Sequence, residues 1–113
     1  MSRIDQINEL LRQETAKIFL EEVEFNPEVM VTVMSADTSD TLETANIWIS
    51  VFPENKSKDT LNFLNEKIGN IQRSLNKKLV MRFVPRIAFK IDKSESYASG
   101  INEVFKKIEK DEE

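Results

Sequence analysis

From Ser57 to Leu79, the apolar residues Leu61, Leu64, Ile68, Ile71, Leu75 and Leu79 follow one another at steps of 3, 4, 3, 4 and 4. Such spacing keeps one helical face buried throughout, so a long amphipathic helix constrains every fold open to this chain. Gly69 interrupts it at its middle. Glycine inside a helix costs about 1 kcal/mol relative to alanine, and a position that carries this cost suggests a kink or a close approach. The spacing therefore predicts two helices that meet at Gly69 and share a buried face.

The segments around this stripe change period. Ile4, Ile7, Leu11 and Ile18 recur at helical spacing. Ser2 is placed to cap that helix with Asp5 three residues on, and the acids Glu21, Glu22 and Glu24 predict its end near Leu20. Val29, Val31 and Val33 alternate with Met30, Thr32 and Met34, which is strand periodicity. The polar stretch ADTSDTLET reads as a turn. Ile47, Ile49 and Val51 then alternate with Trp48, Ser50 and Phe52 in a second strand that Pro53 ends. A third strand is read over VMRFVPRIAFKID, with Met81, Phe83, Ile87, Phe89 and Ile91 on one face and Arg82, Arg86 and Lys90 on the other. Ile101, Val104, Phe105 and Ile108 suggest a final helix, with residues 109–113 frayed. Three strands with one apolar face need the helices to cover that face. The expectation is a single two-layer α+β domain over residues 1–113, with the other sheet face open.

Charge is unevenly distributed. Between Lys56 and Lys93 stand ten Lys/Arg and three acids, a net +7, while residues 1–55 carry −8 and residues 94–113 carry −3. A positive block within a chain of net charge −4 suggests one surface that meets an anion, most simply a nucleic-acid backbone. The chain has no cysteine and no histidine, and its two glycines are too few for a Walker loop or a dinucleotide fingerprint. Most enzyme classes lose their usual groups with these residues. No catalytic residue, metal ligand or cofactor is assigned. Asp37, Asp40 and Glu43 cluster in the turn, but their spacing fits no calcium loop. With no signal-peptide core and no apolar run of membrane-span length, the expectation is a cytoplasmic protein without a membrane partner.

The basic block resolves into a candidate surface. Arg73 and Lys77 fall opposite the apolar stripe and are i, i+4 neighbours, while Lys67 and Lys78 flank it. Asn70 and Gln72 add neutral hydrogen-bonding groups near the expected kink. If Gly69 breaks the helix, the amides around Asn70 and Ile71 would offer partial positive charge to a phosphate. Arg82, Arg86 and Lys90 extend the surface along the third strand. Surface charges usually do no more than solvate a helix. Two elements converging on one basic surface is more than solvation requires. Trp48 and Phe52 point to the open sheet face, where Trp48 could stack a base, although a half-buried strand aromatic is the commoner role.

Taken in order, these residues resemble the ribosome-binding factor A family over nearly the whole length. The signs are Arg3, the VTV at 31–33, the turn Asp40 to Leu42, the strand ANIWISV, then Gly69, Ile71, Leu75 and Lys77, and the block MRFVPRIAFKID. In that block Arg82, Pro85, Phe89 and Asp92 fit the family's Leu-Arg-x-x-Pro-x-Leu-x-Phe-x-x-Asp pattern. The resemblance implies a type II KH-like fold. It also implies a non-enzymatic factor that binds the 30S subunit and 16S rRNA, assists late maturation including processing of the precursor 5′ end, and supports growth in the cold. In this family an Ala-x-Gly kink replaces the KH clamp, and Lys67, Ile68 and Gly69 stand at those positions. Lys67 departs from the usual alanine and adds a cation where a phosphate would sit. Arg86 stands where relatives often carry an acid, and many relatives extend further at the C-terminus.

The expected RNA-contacting set is Lys67, Gly69, Asn70, Arg73, Lys77, Lys78, Arg82, Arg86 and Lys90. The expected protein is a monomer with no small-molecule substrate. The competing readings are a protein-interaction module whose basic block meets an acidic partner, and a small carboxylate or lysine enzyme subunit.

Overall fold

Ser2 and Asp5 form a reciprocal capping box. The Asp5 N–H donates to Ser2 Oγ at 3.1 Å and the Ser2 N–H to Asp5 Oδ2 at 3.3 Å. Helix α1, Arg3–Glu22, starts there in a computed structural model that describes residues 1–93. It runs two residues past Leu20, because the acids at its end find partners on the second helix. Glu21 lies 3.7 Å from Lys78 Nζ, and Glu22 accepts from the Ser74 hydroxyl. These contacts offset the unfavourable meeting of acids with a helix C-terminus. On its exposed side, Arg12 and then Gln13 donate to Glu9 and hold that carboxyl down to about 2.

Strand β1, Met30–Thr38, pairs antiparallel with β2, Thr44–Phe52. The register shifts between Val33 and Ser35, so Met34 is an extra residue, a β-bulge. The shift changes parity. Val31 and Val33 face the core before it, and Ala36 and Thr38, opposite Ile47 and Ala45, after it. Without the bulge, Ser35 and Asp37 would turn inward. This is why β1 extends through part of the stretch expected to be a turn. Only residues 39–43 form the connection, held by Ser39 N–H to Thr44 O at 2.8 Å and Leu42 N–H to Ser39 O at 2.9 Å. Leu42 adopts φ 65°, in the left-handed region, and packs against the core.

A short 3-10 turn, Glu54–Lys56, leads into α2, Ser57–Lys78. The two helices expected to meet at Gly69 are one: α2 passes through Gly69 as a continuous helix, and Gly69 has no positive φ. The buried residues Leu64, Ile71 and Leu75 lie on both sides of Gly69, and their packing outweighs the glycine penalty.

Strand β3, Arg86–Ile91, pairs parallel to β2, in a sheet of order β1-β2-β3. A parallel return needs a long crossover, which α2 supplies. The third strand is thus shorter than the sequence reading, which began it at Val80. Pro85 lies just before it, and residues 80–85 form a connecting loop rather than strand. The expected final helix lies outside the described residues.

Both helices cover one face of the sheet, α1 against β1 and α2 against β3, which makes the two-layer α+β arrangement expected. Ile47 and Ile49 of β2, Leu11 and Ile18 of α1 and Leu64 and Leu75 of α2 are all 0% exposed and form the centre of the core. Rings link the layers: Phe19 lies 5.2 Å from Phe25 and 5.8 Å from Phe89, and Phe25 lies 5.8 Å from Phe63. The other sheet face bears Thr32, Ser50, Trp48 and Lys90 and is left uncovered by either helix.

Candidate nucleic-acid interface

Three elements carry the basic surface: the outer face of α2, the loop 79–85 and β3. No acid occurs from Lys67 to Ile91, a stretch that includes Lys67, Arg73, Lys77, Lys78, Arg82, Arg86 and Lys90. All seven are exposed. They do not share one environment.

On the outer face of α2, Asn70, Arg73 and Lys77 follow at helical spacing, and the Arg73 guanidinium donates to Asn70 Oδ1. That bond lies along the helix surface and orients the guanidinium without neutralising it. In β3, Arg86, Ala88 and Lys90 point to the uncovered sheet face, beside Thr44, Asn46 and Trp48 of β2. Arg82 sits in the loop rather than in the strand, with its guanidinium carbon 5.5 Å from the centroid of the Phe83 ring. Arg73, Lys77, Arg82, Arg86 and Lys90 make no ion pair among the described residues.

Lys67 and Lys78 lie on the α1 side of the same helix. Lys78 is paired with Glu21. Lys67 stands 5.5 Å over the Phe63 ring and, with Asn70, lines a groove whose other walls include Glu22 and Glu24. A phosphate approaching there meets two carboxylates. The amides around Asn70 and Ile71 belong to a continuous helix, so the anion site expected at a helix break is not formed. Gly69 is exposed, and a Cβ built on it would meet nothing within 4 Å.

Gln72 has a role that spacing alone did not reveal. Its Nε2 donates to Pro85 O at 3.1 Å, and its Oε1 accepts the Ile87 N–H at 2.9 Å. The Arg86 and Asp92 amides bond toward β2, so the odd-numbered Ile87 amide faces the free edge of β3. One side-chain amide therefore takes the place of a strand partner and ties β3 to α2. Trp48 is half-buried beside Lys90, as befits an aromatic that fills the sheet surface.

The sequence reading also placed Phe83 on the buried face of the third strand. In the structure Phe83 is 75% exposed and Val80 102%. Strand alternation does not hold before Pro85, since that proline marks where the extended ladder can start. Pro85 was the signal that separates loop from strand.

The family model for ribosome-binding factor A matches residues 3–105. A ribosome-binding factor A of Akkermansia muciniphila is 31% identical over 108 residues, which cover 96% of this chain and 86% of that protein. In three dimensions the chain is similar to the crystal structure of ribosome-binding factor A from Thermus thermophilus. The TM-score is 0.69 at 18% identity, over 80% of this chain and 97% of that one. It is also similar, with TM-score 0.64 at 17% identity, to a Thermus thermophilus homology model of the factor fitted into a cryo-EM map of its complex with the 30S subunit. That comparison covers 83% of this chain and 97% of the other. With a family match across nearly all of its length and a full-length relative above 30% identity, the chain belongs to the ribosome-binding factor A family.

Proposed function

We propose that this protein binds the 30S ribosomal subunit through 16S rRNA and assists its late maturation, including processing of the precursor 5′ end and growth in the cold. It acts by binding, as a cytoplasmic monomer, without catalysis. The observation that carries this reading is the set Arg73, Lys77, Arg82, Arg86 and Lys90, exposed and without an ion pair among the described residues. Cations left unpaired on three adjoining elements suit a phosphate backbone. A relative of the same fold fitted into a map of a 30S complex supports the partner.

Purified small and large subunits, each mixed with the protein and pelleted, test the partner. Cosedimentation is expected with the small subunit alone. Five phosphate contacts at single-stranded character give a salt slope of about −3.5, a loss of roughly a hundredfold in affinity between 50 and 200 mM salt. Equal pelleting with both subunits, or an affinity indifferent to salt, defeats the reading.

A further inference from the structure

The loop 79–85 leaves two apolar side chains in water while its backbone is held at both ends. Leu79 is buried, and its N–H donates to Leu75 O at 2.9 Å. Met81 and Val84 pack against the core, Pro85 is buried, and Gln72 holds the Pro85 carbonyl. Phe83 projects from this anchored loop, with Arg82 over its ring. Lys77 and Lys78 end the preceding helix, and Arg86 starts the following strand.

We infer that Phe83 is a stacking platform for an unpaired nucleobase of single-stranded RNA. The inference rests on the RNA reading above and names the chemistry of its loop. A ring with Arg82 over it, in a loop flanked by the exposed cations Lys77 and Arg86, suits a ligand that joins a flat apolar face to an anion, and a nucleotide has both. A protein partner would have to bring an apolar surface against Lys77, Arg82 and Arg86 and supply acids to match. A base within a duplex has no free face to offer, so the ligand is single-stranded. Because the loop is anchored, little ordering is needed on binding.

The test uses the full chain, a labelled single-stranded RNA oligonucleotide, the same oligonucleotide in a duplex, and purified small subunits. Phe83→Ala is expected to weaken single-strand binding about tenfold, within the range for base–aromatic stacking, and to leave duplex binding and the salt slope unchanged. Phe83→Leu keeps the apolar bulk and loses the ring, and is expected to lose nearly as much. Phe83→Tyr is expected to bind like the parent. The exposed position leaves the fold intact, which circular dichroism checks. If both Phe83→Ala and Phe83→Leu stay within about twofold of the parent while Arg73→Glu/Lys77→Glu loses about a hundredfold, the stacking inference falls and the RNA reading stands. A parent chain that binds no RNA removes both. If Phe83→Ala weakens binding only to whole subunits and not to RNA, the loop meets a protein and the inference is overturned.

Discussion

Lys77 and Lys78 are adjacent in the chain and meet different company. Lys78 turns toward α1 and pairs with Glu21, near a seam that also carries Glu22 and Glu24. Lys77 turns about 100° away, to the outer face of α2 with Arg73, where no carboxylate of the described residues pairs with it. The same contrast holds more widely. On the seam side, the acidic end of α1 serves as the counter-charge. On the loop and β3 side, the cations make no ion pair among the described residues, and Gln72 ties β3 to α2. Local net charge therefore overstates the anion-binding surface: Lys78 of the positive block is paired at the surface with an acid of α1, and the cations of the open side are the candidates for phosphate.

The strongest way to break this contrast is to reverse charge on the open side. Arg73→Glu/Lys77→Glu is expected to cost about a hundredfold in RNA affinity, from two charge-assisted contacts at about 1.5 kcal/mol each. The salt slope is expected to flatten from about −3.5 to about −2 as two contacts leave. Both side chains are exposed, so the circular dichroism spectrum is expected to stay the same. An unaltered affinity would mean that the outer face of α2 is only solvated.

Gln72→Ala probes what holds the open side together. It strips the Ile87 N–H and Pro85 carbonyl of their partner at a half-buried site, at an expected cost of about 1–3 kcal/mol in stability by urea unfolding. A change of less than about 0.5 kcal/mol would show that water replaces the amide without penalty and that β3 is secured by Ile87 and Phe89 alone.

The fold was legible where period and burial agree. The Leu61–Leu79 stripe, the alternation of Ile47, Ile49 and Val51, and the Ser2 cap all hold in the structure. Legibility failed where a single local event changes parity. The bulge at Met34 carries β1 through residues that look like a turn, and Pro85 delays β3 so that Phe83 leaves the core face. A bulge has no strict sequence signature, since it depends on which register buries Ala36 and Thr38. For the site, exposure of Arg73 and Lys77 could be read from the helical wheel, and that of Arg86 and Lys90 from strand alternation. The pairing of Lys78 could not, because Glu21 lies far from it in sequence and meets it only once α1 and α2 pack.

Gly69→Ala separates a helix carried through glycine from a kink used for recognition. With φ not positive and nothing within 4 Å of the new methyl, alanine is expected to stabilise α2 by about 0.5–1 kcal/mol, a rise of a few degrees in Tm. RNA affinity is expected to stay within about twofold, because the amides here are bonded within the helix. A stable variant with clearly weaker binding would instead show a phosphate approaching the backbone more closely than a Cβ permits, and would return Gly69 to the interface.

The smallest effect tests the seam itself. Glu21→Gln removes the partner of Lys78 and leaves the shape of the side chain. If the seam acid neutralises that lysine, RNA affinity at low salt is expected to rise by about twofold, and the gain is expected to vanish near 0.5 M salt as screening shortens. Lys78→Gln in the parent is then expected to cost less than Lys77→Gln, since only Lys77 offers uncompensated charge. If both lysines matter equally and Glu21→Gln changes nothing, the exposed pair at 3.7 Å yields to solvent when RNA arrives, and Lys78 belongs with the open cations after all.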